Sequence, residues 1–252
     1  MILIADGGST KCDWILLDSE GEIVLRTRTK GLNPAVFKTE VLKQRLLENQ
    51  DLSEIREKVE KVHFFGAGCG TEKPTIELRK IFLNYFPTAS EVIVKEDLAA
   101  AVYAATTQPG IVCILGTGSN SCYFDGKNIK TEVSSLGYIL MDEASGNYFG
   151  KRLIRDYYYK KMPEGLAKSF EKNFDLSPDV IKENLYKKEN PNTYLASFAE
   201  FIFTNEINGY FYKLLSEGME NFIEHRVLCF KEAQNVPVHF IGSIAHFSQD
   251  II

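Results

Sequence analysis

Met1-Ile2-Leu3-Ile4-Ala5-Asp6-Gly7-Gly8-Ser9-Thr10-Lys11, running on into Cys12-Asp13-Trp14-Ile15-Leu16-Leu17, organises everything that follows it. A short apolar run stops at an acid, two glycines and two hydroxyls follow, and a second apolar run begins near Trp14. Short apolar runs bounded by turn residues read as strands. Glycines let the backbone turn tightly and let amide groups approach an anion. Ser9 and Thr10 add hydroxyl donors. An acid at the end of the first strand, Asp6, can hold a hydrated magnesium ion that neutralises phosphate charge. Gly-Gly is equally an ordinary hairpin signal, and taken alone the segment reads as one. No Gly-x-x-x-x-Gly-Lys-Ser/Thr loop of the Walker type occurs.

Outward from this turn, Ile23 to Thr29 alternates apolar and basic residues as a half-exposed strand does, predicting a three-stranded meander. A helix is predicted over about 38–48, a buried strand at Lys61–Phe65 ending on Gly66-Ala67-Gly68, and an amphipathic helix over Thr75–Phe86. A strand at Glu91–Val94 and an alanine-rich helix over Leu98–Ala105 follow. Past Pro109-Gly110, strands at Ile111–Leu115 and Ser121–Phe124 flank Gly116-Thr117-Gly118-Ser119-Asn120, a second glycine and hydroxyl turn. From Tyr148 the chain is mainly helical, and the aromatic periodicity of Ser197–Phe230 reads as core. Val238–Ile241 is a strand ending at Gly242-Ser243, with a helix beginning near Ile244.

Two glycine and hydroxyl turns, each opening one half of the chain, are more specific than one, and suggest a nucleotide whose phosphates are gripped from both sides. Asp97 stands just past a strand and just before a helix. It can cap that helix, or it can take a proton from a hydroxyl attacking a γ-phosphate. One carboxylate can do both. Glu96 beside it is the weaker candidate because it points elsewhere. The Gly242-Ser243 turn suits the flat approach of an adenosine group, although strand-to-helix turns of this kind are common.

The composition bounds the partners. The 252 residues are 44% hydrophobic and 25% charged, which supports a sizeable core. The net charge of -5 offers no basic footprint for nucleic acid. No apolar run reaches bilayer length, and the N-terminus lacks the basic start of a signal peptide. The five cysteines are scattered and odd in number, as in a reduced, cytoplasmic protein. The four histidines show no ligand spacing.

Read in order, the features resemble the N-acetylglucosamine kinase family and its relatives, the activator ATPases of benzoyl-CoA reductase, within the actin and hexokinase superfamily. Gly7, Gly8, Ser9, Thr10 and Lys11 resemble the first phosphate motif of that family, with Asp6 as its magnesium-positioning acid. Gly116, Thr117, Gly118 and Ser119 resemble the second phosphate motif, and Gly242 and Ser243 the adenosine motif. Asp97 matches the catalytic base. Asn33 in Gly31-Leu32-Asn33-Pro34 and Asp142 in Leu140-Met141-Asp142-Glu143-Ala144-Ser145 match sugar ligands. The resemblance implies an α/β chain of two ribonuclease-H-like lobes, residues 1–107 and 108–252, with an interlobe nucleotide and sugar cleft. It implies ATP and Mg2+ as cofactors, and a kinase acting on N-acetylglucosamine or a similar amino sugar as a small-molecule substrate. Members of the family tend to form dimers, so a homodimer is open. Neither nucleic acid nor membrane is an expected partner.

The departures define the rivals. The family usually has Gly-Asp-Glu-Gly-Ser where this chain has Met141-Asp142-Glu143-Ala144-Ser145. A methionine there narrows or redirects a sugar pocket, which opens a non-catalytic amino-sugar-binding regulator as one alternative. An ATPase switch acting on a partner protein is the other, against which stands the lack of the cluster-binding cysteine pair of the activator ATPases. The chain also stops inside the helix after the adenosine turn, where family members continue for a further strand and helix. The expectation is that this last strand and helix are lacking.

Overall fold

Leu3, Ala5 and Gly7 are buried along β1 (Ile2–Gly7), as are Cys12, Trp14 and Leu16 along β2 (Lys11–Leu17). Successive strand side chains point to opposite faces, so this alternation dedicates one face of the sheet to a core. β3 (Ile23–Lys30) pairs antiparallel with β2, and β2 antiparallel with β1, which gives the expected meander. β1 runs parallel to β4 (Lys61–Gly66), and β4 parallel to β5 (Glu91–Lys95), in the order β3-β2-β1-β4-β5. Parallel neighbours need long crossovers. These are supplied by α1 (Thr39–Leu47), α2 (Gln50–Ile55) and α3 (Glu72–Tyr85), while α4 (Asp97–Ala105) follows β5. The short α2 carries too little periodicity to predict. It starts because the Asn49 side chain accepts a hydrogen bond from the Leu52 N–H at 2.8 Å.

The core of this sheet is aromatic. Trp14 lies 6.4 Å from Phe64 and 5.9 Å from Phe82, ring centroid to ring centroid, and Phe64 and Phe82 are 5.2 Å apart. The indole N–H of Trp14 donates to Thr29 Oγ1 at 3.1 Å, so its one donor is satisfied in the interior. Leu42 and Leu46 of α1 and Leu78 and Ile81 of α3 close over these rings. This packing dictates a glycine at position 7, where a Cβ would stand 2.3 Å from Phe64 Cζ. Gly7→Ala is therefore expected to destabilise the chain by about 1–3 kcal/mol, the usual cost of overpacking. An unchanged urea midpoint would show that Phe64 does not constrain this position.

β6 (Gly110–Leu115), β7 (Ser119–Phe124), β8 (Ile129–Lys130) and β9 (Val238–Ile241) form a second sheet in the order β8-β7-β6-β9, in which only β6 and β9 are parallel. The connection from β8 to β9 is helical. It comprises α5 (Gly146–Tyr158), α6 (Glu164–Asn173), α7 (Pro178–Tyr186), α8 (Pro191–Ser197), α9 (Glu200–Phe203), α10 (Gly209–Phe222) and a single π-helical turn, Ile223–Val227. α11 (Ser243–Phe247) follows β9. The aromatic periodicity of Ser197–Phe230 does become core, with Phe198, Phe201, Phe211 and Phe222 buried. It is not one unbroken helix. Just past α9, Thr204 Oγ1 and Asn205 Nδ2 bond back to the carbonyls of Glu200 and Phe201 at 3.1 and 2.7 Å, offering the backbone an alternative to continuing the helix.

The computed structural model describes residues 1–207 and 209–252. The chain is mixed α/β and divides into two compact units, Met1–Ala100 and Ala101–Ile252, with α4 spanning the division. Among the described residues no helix is long and apolar enough to cross a membrane.

Candidate functional site

In the first unit, β1, β4 and β5 are parallel and their C-terminal ends lie level, with Gly7 opposite Gly66 and Phe65 opposite Lys95. Ligands of open α/β sheets bind at the carboxyl ends of such strands. The expected residues gather there. Asp6 is directly across from Asp13 on β2 and from Phe65 on β4. It is open to solvent, yet the density of protein around it and the charge of Asp13 raise its carboxyl above the usual range, with Lys11 pulling the other way. Asp13 itself is held low by Arg28, 2.5 Å away. Lys11 pairs with Asp13 at 3.2 Å.

The turn after β1 is fastened on both sides. Gly8 N–H donates to Lys11 O at 2.8 Å, and the amides of Gly31 and Leu32 donate to the carbonyls of Thr10 and Gly8 at 3.0 and 3.1 Å. Asn33 is buried and donates through Nδ2 to Ser9 Oγ at 2.9 Å, while its Oδ1 accepts the Ala35 N–H at 2.9 Å. The residue expected to contact a sugar thus also ties the first glycine turn to segment 31–37.

Asp97 opens α4 one residue beyond the end of β5, separated from Lys95 by Glu96. Its Oδ1 accepts the N–H of the next residue, Leu98, at 2.9 Å, and Asp97 is itself the first residue of the helix. Burial raises its carboxyl above the ordinary range. The Leu98 amide pulls it down, and the charge of Asp6 pushes it up again, which reports that the two acids share one electrostatic environment. Glu96 is also raised, by burial and by Asp97, and its carboxyl packs over Gly70. Cys69, beside both acids, is pushed up to about 12, chiefly by burial, and is therefore a neutral thiol.

The second unit repeats the pattern. β6 and β9 are parallel with Ile114 opposite Ile241, so the 116–118 turn and Gly242-Ser243 emerge side by side. Gly242 has φ +114°, and a Cβ there would stand 2.3 Å from Leu115 O, so the turn demands glycine on both counts. Gly146 and Asn147 at the start of α5 donate to the carbonyls of Gly116 and Thr117 at 2.8 and 3.0 Å. Ser145 caps α5 by accepting the Tyr148 N–H at 3.2 Å. Asp142 is buried at φ +72°, accepts Asn147 Nδ2 at 3.0 Å and the Ser119 N–H, and packs against Gly118, where a Cβ would come within 2.8 Å of its Oδ2. Burial raises its carboxyl, while Asn147, Ser119 and Arg226 draw it down. Ala144, also fully buried, sits at φ +55°.

The bracing residues Asn147 and Arg226 escaped the sequence analysis. The capping serine followed by Gly-Asn is a local sign of Asn147, and Arg226 has none.

Ser119 Oγ is buried and has no partner within the protein, whereas buried hydroxyls are normally bonded. A Cβ at Gly116 would meet nothing within 4 Å, so the space over that turn is open. An orphaned hydroxyl beside an open glycine backbone fits a phosphate-bearing ligand. For magnesium, no group of three or more His, Cys, Asp and Glu side chains could hold a metal ion among the described residues. Asp6 fits magnesium as that ion is usually held, through one carboxylate, waters and substrate phosphates instead of a protein cage. A cavity of about 330 Å³ lies elsewhere in the second unit, lined by Arg152, Asp156, Tyr210 and Glu217. Its acids are already paired, Glu217 with Arg152 at 3.0 Å and Asp156 with Tyr210 at 2.9 Å, so it reads as a structural network.

Residues 5–210 match the BadF/BadG/BcrA/BcrD ATPase family. The chain belongs to that family. A candidate N-acetylglucosamine kinase of Porphyromonas gingivalis is 36% identical and superimposes with a TM-score of 0.91 over all of this chain and 89% of its own. A second candidate N-acetylglucosamine kinase, from Chromobacterium violaceum, is 17% identical with a TM-score of 0.76 over all of this chain and 90% of its own, and so shares the fold. The fold also recurs in a ROK family glucokinase of Streptomyces griseus solved with glucose and AMPPNP. That protein is 13% identical, with a TM-score of 0.55 over 95% of this chain and 93% of its own.

Proposed function

We propose that this member of the BadF/BadG/BcrA/BcrD ATPase family is an ATP-dependent kinase that transfers the γ-phosphate to a hydroxyl of N-acetylglucosamine or a similar amino sugar. The observation that carries the reading is the gathering of Asp6, the 7–10 turn and Asp97 at the carboxyl edge of β1, β4 and β5, with Asp97 raised by burial and sensing Asp6. The likeness to the Porphyromonas protein supports the choice of sugar class.

In this reading Asp97 accepts the proton of the attacking hydroxyl. A carboxyl raised towards the working pH is a better base than one at the ordinary aspartate value. The backbone amides of the two glycine turns and the Ser119 hydroxyl bond phosphate oxygens, and Gly242 and Ser243 support the adenosine. Asp6 would hold magnesium through water, and magnesium when bound neutralises phosphate charge. Asn33 and Asp142 bind sugar hydroxyls with whichever lone pairs their bracing bonds leave over.

The test is ADP release with ATP and magnesium across a panel of amino sugars and neutral hexoses. Turnover that appears only with an amino sugar is expected. Family membership favours one other reading, an ATPase that acts on a partner protein. Hydrolysis that ignores every sugar would replace the kinase with it.

A further inference from the structure

Arg226 is 1% exposed, and it projects from the single π-helical turn Ile223–Val227. Isolated π-turns of this kind are frequent at functional sites. The backbone of Arg226 is anchored to β7, since its carbonyl accepts Ser121 Oγ at 2.6 Å. Its guanidinium is directed wholly at the segment between β8 and α5. Nη1 donates to Val133 O at 3.0 Å, Nη2 to Met141 Sδ at 3.2 Å, and Nε faces Glu143 Oε2 at 4.0 Å.

That segment, 131–145, contains neither helix nor strand. It nevertheless holds two non-glycine residues in the left-handed region, Asp142 at φ +72° and Ala144 at φ +55°. Such residues keep their conformation only where the surroundings over-determine it. Arg226 grips Met141 and Glu143, the neighbours of Asp142 on either side. As a stability device this is a poor bargain. A buried charge answered by a thioether and a carboxylate 4.0 Å away is often bettered by an apolar side chain of similar volume.

We infer that Arg226 is a positioning residue for amino-sugar recognition, holding the 141–145 turn so that Asp142 is presented against Gly118 and Ser119. The inference rests on the kinase reading above. The nucleotide turn leans on Arg226 only indirectly, through the Ser119 amide that donates to Asp142, because the carbonyls of Gly116 and Thr117 are held separately by the amides of Gly146 and Asn147. Loss of Arg226 therefore weighs more on the sugar than on ATP.

The experiment compares the full-length protein with R226M and R226K by backbone hydrogen–deuterium exchange and by the KM values for N-acetylglucosamine and ATP. In R226M, exchange across 133–145 is expected to accelerate about tenfold and the sugar KM to rise about tenfold, the scale of a small misplacement at a binding site. The ATP KM rises less than the sugar KM, and the exchange of β1 to β5 stays as in the wild type. R226K remains impaired, because an ammonium cannot bridge three directions as a planar fork does. Unchanged exchange in 133–145, a parallel rise of both KM values, or rescue by R226K would overturn the inference. Should R226M fail to fold, Met141→Leu combined with Glu143→Gln removes two of the contacts from the other side, and the same split is read there. Should the wild type phosphorylate no sugar, the kinase reading falls, and the exchange result alone decides whether Arg226 holds the turn.

Discussion

Asp97→Asn is expected to lower sugar-dependent turnover by about 10²–10⁴-fold, the usual contribution of a general base, while leaving the protein folded with a Tm at or above that of the wild type. Both halves follow from one environment. Burial raises the Asp97 carboxyl, so the folded state binds its proton more tightly than the unfolded chain does. As pH rises from the unfolded value through the folded one, the folded state must ionise a group it would keep neutral, and stability falls over that window. A neutral amide removes this cost, and its Oδ1 can still accept the Leu98 N–H that the carboxylate accepts at 2.9 Å. The pH profile carries the same information. Catalysis needs the ionised form, so the acid limb of kcat/KM should lie above the ordinary aspartate value and vanish in the variant. Full turnover by Asp97→Asn would remove Asp97 from the chemistry. A collapsed Tm would make it a helix cap and no more.

Asp142→Ala should cost about 2–4 kcal/mol of folding stability, read as a lower urea midpoint at constant slope. The substitution strands the Ser119 amide and Asn147 Nδ2, both of which now donate to the carboxyl group. A buried donor left without an acceptor costs about 1–3 kcal/mol. Alanine also tolerates the left-handed backbone at φ +72° less well than Asp or Asn. Asp142→Asn keeps that tolerance and one acceptor oxygen, and it replaces a carboxyl whose ionisation burial already opposes. Its loss should therefore be about 1 kcal/mol or less. A sugar KM that rises in Asp142→Asn, with stability nearly intact, would separate the sugar contact from the bracing role. Equal stability of Asp142→Ala and wild type would mean that the 118–119 turn does not lean on this residue.

Much of this is legible in the sequence. The strand periods around Asp6, the two glycine turns and the position of Asp97 between β5 and α4 are local features, set by residues a few positions apart. So is the end of β9 at Gly242-Ser243. Residues whose meaning lies in distant partners could not be read in this way. Asn33 stood out by resemblance as a sugar contact, and the structure shows it bonded to Ser9, twenty-four positions earlier. Asp142 was drawn out by the same resemblance, yet its bonds to Ser119 and Asn147 make it a brace for the second glycine turn. Nothing near Arg226 in the sequence distinguishes it from a surface arginine, because its partners Val133 and Met141 lie 93 and 85 residues away.

The sequence by itself therefore determined the longer strands, the helices of the first half, their order and the two glycine turns, since hydrophobic period and turn chemistry act over a few bonds. Tertiary structure alone decided which glycines are forced by packing, as Gly7 is by Phe64, and which stand open, as Gly116 does. It also decided which polar groups are already satisfied and which, like the Ser119 hydroxyl, have no partner within the protein. Those are matters of burial and of bonds between distant residues, and they exist only once the chain has closed around them.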